Sequence, residues 1–341
     1  MARIFQTGFE SGAVNASVSS GCSASTAQKR TGSYSLRQPN RDDYATFSLG
    51  SSFSEVYGRI GFYRTTLTPD VEGTIFGLLN SDGTVIAEVS YKYNTGLVYA
   101  KRNSTNLTVS AVPLVSGWNC LEIYLSIADS GGRFVVKNNG VTIIDYTGDT
   151  KESSYSNVGL LRVGKGVASG GFDNPEHYFD DIAVNDTTGS VNNSWIGQGG
   201  IRPLLVNADG DHTGLTPSTG SDNYALVDEV PASDTDYVSG STKDVYDLYT
   251  VDTSGMPASY TVSAVKWIAR ARVTEDAANI TPVIRSESTT EQQSDITEQQ
   301  SDIALSTSFT VKELIMETDP IDDAAWTKTK IDALEIGAAV G

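Results

Sequence analysis

The sequence predicts an all-β protein, with two β-sandwich or jelly-roll domains in tandem and a short helix near the C-terminus. Three observations predict this. Runs of β-branched and aromatic residues recur about every ten positions between clusters of Gly, Asn, Asp and Ser, the spacing of a sandwich. The chain holds 16 Tyr against 3 Met, a balance that suits strands rather than helices. At 341 residues, 39% hydrophobic and 19% charged, it has room for two cores and is too apolar for a disordered chain.

The first domain is predicted over residues 1–185. Strands are expected at 44–49, 58–63, 74–79, 85–91 and 97–100, with turns at Asn80-Ser81-Asp82-Gly83 and Asn94-Thr95-Gly96 whose glycines need positive φ. Residues 118–125 alternate, with Cys120, Glu122 and Tyr124 on one face and Leu121, Ile123 and Leu125 on the other. Strands 133–137 and 141–145 flank Asn138-Asn139-Gly140, a hairpin signal, and strands at 160–163 and 178–184 close the domain. Residues 186–203 form a polar, Gly-rich connector that carries Trp195 and Ile196, and these two are expected to pack on one of the domains.

The second domain is predicted over 204–341, with strands at 204–206, 244–251, 260–273, 279–284 and 308–316 and a helix at 322–334. In 265–273 the odd positions are apolar, while Lys266, Arg270 and Arg272 share the other face. That basic stripe is a candidate docking edge for a neighbouring protein or a second copy; pairing with local carboxylates is the alternative. The heptad beginning at Thr290 is repeated directly from Thr297 to Ile303, too few copies for a solenoid, and reads as a duplication in an exposed hairpin loop.

Charge and motifs narrow the function. The net charge of −18 excludes nucleic acid as the partner, because phosphate binding needs clustered Lys and Arg. From Ile201 onward there are 24 acidic and 9 basic residues, against 18 and 15 before it, so the two halves present different surfaces. No apolar run reaches about 18 residues, and the N-terminal segment lacks a signal-peptide core, so no membrane insertion is expected and the protein should be made and kept in the cytoplasm or assembled there. A reducing compartment disfavours a Cys22–Cys120 bond. His177 and His212 read as loop residues beside no nucleophile motif, and the two Cys and two His do not make a zinc spacing. A jelly-roll hydrolase needs two carboxylates flanking one bond; the strands of the first domain offer only Glu88 and Glu122.

No cofactor and no catalytic residue are therefore expected. Asp209 and Asp211 superficially resemble part of a calcium loop, but the later acids of that loop are missing and a polar turn is the simpler reading. Asp180 and Asp181 are the other calcium candidates, with capping of backbone donors at a strand end as the alternative. Tyr155 and Tyr178 could stack on a sugar face, although 16 tyrosines make chance placement the simpler account.

Gly8-Phe9-Glu10-Ser11-Gly12, Thr31-Gly32-Ser33-Tyr34-Ser35-Leu36, Gly117-Trp118-Asn119-Cys120-Leu121-Glu122-Ile123, Val136-Lys137-Asn138-Asn139-Gly140-Val141 and Tyr178-Phe179-Asp180-Asp181-Ile182-Ala183-Val184 together resemble the concanavalin A-like (laminin G-like) jelly roll. The remainder, through Ser194-Trp195-Ile196-Gly197, Asn223-Tyr224-Ala225-Leu226-Val227-Asp228-Glu229, Asp236-Tyr237-Val238, Asp244-Val245-Tyr246-Asp247-Leu248-Tyr249 and Thr318-Asp319-Pro320 with Ala325-Trp326-Thr327, resembles the C-terminal part of tailed-bacteriophage virion structural proteins. The resemblance implies a non-enzymatic particle component, a tail or neck appendage, fibre or head decoration. It would be oligomeric, partnered by other virion proteins, and located in the virion after assembly in the host cytoplasm. A carbohydrate-binding module recognising a host-surface glycan is the alternative, and a polysaccharide hydrolase a further one.

Overall fold

A computed structural model describes residues 2–65, 70–165, 176–274, 278–286 and 297–341. The chain divides into two units, Met1–Arg202 and Pro203–Gly341. As expected, it is antiparallel β almost throughout. No helix among the described residues is long and apolar enough to cross a membrane.

The first unit contains β1 (Arg3–Thr7), β2 (Val18–Ser20), β3 (Ser23–Ser25), β4 (Ser35–Gln38), β5 (Tyr44–Phe53), β6 (Glu55–Arg64), β7 (Glu72–Leu79) and β8 (Val85–Lys92). It continues with β9 (Val98–Arg102), β10 (Thr105–Val109), β11 (Gly117–Ser126), β12 (Gly132–Asn138), β13 (Val141–Gly148), β14 (Val158–Gly164) and β15 (His177–Asn185). An eight-stranded sheet runs β13-β12-β11-β6-β15-β4-β3, with β1 also on β15; a seven-stranded sheet runs β10-β9-β8-β7-β14-β5-β2. Alternate residues of both sheets point into one shared core, including Phe47, Ile60, Phe62, Leu78, Val89, Leu121, Ile123, Leu161 and Phe179. Their neighbours along each strand necessarily form two outward faces. Gly83 (φ 90°) and Gly96 (φ 75°) take the left-handed conformation their turns require.

The second unit contains β16 (Val206–Thr213), β17 (Thr216–Pro217), β18 (Val238–Ser239), β19 (Tyr246–Val251), β20 (Val265–Ala271), β21 (Asn279–Arg285), β22 (Thr297–Gln299), β23 (Ile303–Ala304), β24 (Thr310–Met316), α1 (Lys328–Asp332) and β25 (Glu335–Val340). A six-stranded sheet, β16-β19-β25-β21-β22 with β23 on β21, is joined by the two-stranded sheets β17-β18 and β20-β24. Trp267 and Met316 of the β20-β24 pair bury with Ile284, Trp326, Ile331 and Leu334, and Trp267 Nε1 donates to Gly337 O at 2.9 Å.

Several local expectations change. Asn207–Asp211 is part of β16 and not a turn, because its backbone pairs with β19 from Val206 to Thr213 through two register shifts. The helix is shorter than the predicted 322–334: Asp319 and Asp322 tie residues 321–324 into a turn, and Thr327 caps α1 by accepting from Lys330 N. The duplicated heptad was expected to form a loop. Its first copy falls outside the described residues, whereas the second supplies β22 and ends at β23, both paired with β21.

Candidate functional site

The outward face of the seven-stranded sheet carries the strongest concentration of chemistry. Register aligns Thr46 of β5, Arg162 of β14, Gly77 of β7, Glu88 of β8 and Lys101 of β9 in one row across five strands. The next row holds Tyr44 with Gly164 at one side and Thr74, Ser90 and Tyr99 at the other. Tyr44 and Tyr99 thus flank the polar floor, about 19 Å apart across four strand spacings.

On an open sheet face such side chains would be well solvated. Here Ser90 is 1% exposed, Thr46 6%, Thr74 7%, and Lys101 and Arg162 8% each. Neighbouring side chains therefore cover most of this row, named here the trough. Gly77 has no side chain, and across it Arg162 Nη2 reaches Glu88 Oε1 at 3.3 Å. Lys101 pairs with Glu72, whose Oε2 also accepts from Ser90 Oγ at 3.4 Å. The Lys165 ammonium lies 5.2 Å from the Tyr44 ring centre, and the Arg162 guanidinium 6.0 Å. Burial raises the Glu88 carboxyl above its ordinary range, against the opposing pull of Arg162 and Lys101.

The Arg162–Glu88 pair is under-used. A guanidinium has five N–H donors, yet the contact it makes here is a single long one, and its buried Nε has no hydrogen-bond partner. A buried, unsatisfied charged donor is costly, by about 1–3 kcal/mol or more. The trough offers donors, acceptors and two flat ring faces, and neither histidine lies on its strands.

The expected residues fall elsewhere. Glu122 lies on the opposite sheet, where it accepts from Gly197 N at 2.7 Å beneath the connector. Glu88 and Glu122 therefore occupy opposite faces and cannot flank one glycosidic bond as a hydrolase pair. His177 is a core residue and not a loop residue: it opens β15, is 3% exposed, and joins Tyr91 Oη through Nε2 at 2.6 Å among Phe62, Tyr93 and Phe179. Burial lowers its pKa to about 4. His212 is likewise not in a loop; it stacks on Tyr246 with ring centres 3.8 Å apart in β16. Tyr155 Oη accepts from Thr84 Oγ1 at 3.3 Å.

The calcium candidates are occupied by protein donors. Asp180 Oδ2 accepts from Arg30 N and Thr31 N, and its Oδ1 from Asp181 N. Asp181 Oδ1 accepts from Thr31 Oγ1 and Ile201 N, and its Oδ2 pairs with Arg30 at 2.6 Å. Desolvation and the adjacent Asp181 charge raise the Asp180 carboxyl. Asp209 accepts from Tyr224 N, and Asp211 pairs with Arg285. No group of three His, Cys, Asp or Glu among the described residues is arranged to hold a metal. Cys22 and Cys120 are unbonded thiols.

The connector is docked, as Trp195 predicted. The Trp195 ring meets Tyr57 at 5.3 Å and lies 3.5 Å from Lys137 Nζ, while Arg30 donates to Gln198 O and Gly199 O. The basic stripe is paired within the second unit. Lys266 bonds Glu313 at 2.6 Å, Arg270 forks onto Asp234 at 2.5 and 2.6 Å, and Arg272 lies 4.7 Å from the Phe309 ring. Lys266 and Arg270 thus pair with local carboxylates, whereas Arg272 faces a ring.

No protein-family model matches the sequence, and no curated protein matches it. Among solved structures, similar chains include an endo-β-1,4-glucuronan lyase from the fungus Trichoderma reesei, 13% identical, with a TM-score of 0.42 over 54% of this chain and 95% of that one. The cellulose-induced protein Cip1 is 18% identical, with a TM-score of 0.43 over 57% of this chain and 100% of that one. The carbohydrate-binding module CBM66 from Bacillus subtilis is 13% identical, with a TM-score of 0.32 over 49% and 97%.

Proposed function

We propose that the first unit is a sugar-recognition module whose binding site is the trough on the seven-stranded sheet, and that the protein acts by binding rather than catalysis. The observation that carries this reading is the under-satisfied Arg162–Glu88 pair, held rigid and nearly buried between Tyr44 and Tyr99. A pyranose suits such a site. Its hydroxyls accept from the guanidinium and donate to the carboxylate, and a C–H face of a neighbouring residue of the same glycan lies on one of the rings. Mixed charges in the trough and the net charge of −18 speak against a polyphosphate chain as the occupant.

The setting proposed for this module is the one implied by the sequence resemblance: host-surface recognition on a tailed-phage particle, with the acidic second unit attaching it there. A glycan array tests the binding claim. The wild-type chain should bind a restricted set of glycans, and Arg162→Met should lose them while keeping the wild-type circular dichroism. Binding unchanged in that variant, or no glycan bound at all, refutes the claim. Mass spectrometry of purified particles tests the setting.

A further inference from the structure

The outward face of the eight-stranded sheet carries a second feature. Register places Trp118 of β11, Tyr63 of β6, Tyr178 of β15 and Arg37 of β4 side by side across four neighbouring strands. Their chain neighbours Phe62, Phe179 and Leu36 point into the core, so these four point out. The Tyr63 ring lies 5.4 Å from Trp118 and 6.3 Å from Tyr178, edge-on to both at 71° and 90°. Tyr178 forms a buried floor while Trp118 and Tyr63 stay half-exposed.

The row ends in polar groups. Arg37 pairs with Glu176, whose Oε2 accepts from Tyr178 Oη at 2.8 Å; both charged side chains remain open, at 38% and 44% exposure. The next outward row, Cys120, Gly61 and Asp180, is small or polar and buried, and Arg30 lies over Gly61. The connector's contacts begin one row further on, at Glu122 and Arg59.

We infer that this row is a second ligand site, for the ring of a neutral sugar, on the face opposite the trough. The chemistry fits because rigid aromatic rings supply contact area at little entropic cost, while the Arg37–Glu176 pair supplies donors and acceptors with no net charge. Size favours a small ligand over a protein partner. A stable interface needs about 800 Å² per partner, whereas a fully buried aromatic ring supplies about 150–250 Å², and two of these rings are already half-covered. The inference extends sugar recognition to a face that shares no residue with the trough, so the two sites fail separately.

The test is calorimetric titration of the full chain with cellohexaose, laminarihexaose, maltohexaose and mannohexaose. At least one should bind. Trp118→Ala should weaken that binding about tenfold, Trp118→Phe should restore most of it, and Arg162→Met in the trough should leave this site unchanged. If Trp118→Ala loses the native circular dichroism, Tyr63→Ser replaces it with the same expectation. Absence of heat with all four sugars overturns the inference. So does full affinity in the folded Trp118 or Tyr63 variant, loss in Arg162→Met alone, or a wild-type dimer by light scattering that Trp118→Ala converts to monomer.

Discussion

Replacing His177 with Gln isolates one titration in the core of the first unit. The imidazole is enclosed by Phe62, Tyr91, Tyr93 and Phe179, and burial lowers its pKa from 6.5 to about 4. Between those values the unfolded chain binds a proton that the folded chain refuses, so stability rises with pH across the window. The contribution is complete above pH 6.5 and lost as pH falls to about 4. At 1.36 kcal/mol per pKa unit it amounts to about 3 kcal/mol. Carboxyls raised by burial, such as Glu10 at about 7, act in the opposite direction, losing stabilisation as pH rises from 4.5. They are common to both proteins and cancel in the difference. Gln can keep a hydrogen bond to Tyr91 without titrating. Hydrogen exchange of the β15 amides at pH 7.5 and 4.5 reads the stability of this unit alone. Wild type should lose about 2.5 kcal/mol more than His177→Gln over that interval. Parallel losses in the two proteins would refute the assignment of a buried neutral imidazole.

Three further outcomes follow from named contacts. Trp195→Ala removes the ring held by Tyr57, Tyr124 and Lys137, about 2 kcal/mol of connector docking, and should speed proteolysis within residues 186–202 about 30-fold; unchanged cleavage contradicts the docked connector. Arg270→Glu with Arg272→Glu sets like charge against Asp234 and should lower the urea midpoint of the second unit; full stability with lost assembly would instead make the stripe a docking edge. Chelator should leave the melting temperature unchanged, because backbone and side-chain donors already hold the oxygens of Asp180 and Asp181; a drop of several degrees would reveal a metal.

Local pattern was enough for the parts of the fold that local pattern controls. Cys120, Glu122 and Tyr124 do share the outward face of β11, and Trp267 faces inward while Arg270 faces out, because side-chain alternation is a property of the strand itself. Asn139 and Gly140 both take positive φ, at 48° and 82°, as their hairpin demands. The trough was illegible for a physical reason: Arg162 and Glu88 stand 74 residues apart in sequence and meet only because β7 lies between their strands with a glycine at the crossing. The alternation of Glu88, Ser90 and Lys92 was the available signal, but nothing local marks which outward face is walled in. His177 was misread for a similar reason. It follows a polar, Pro-containing stretch, and the Tyr91 hydroxyl that satisfies it comes from a strand 86 residues away.

The measurement that bears most directly on the central claim is amide chemical-shift mapping of the ¹⁵N-labelled chain with a glycan selected on the array. Shifts should concentrate on β8, β9 and β14, strongest around Ser90, Tyr99 and Arg162, and should vanish from those strands in Arg162→Met. Binding with no shift on those strands would contradict the assignment of the trough as the recognition site.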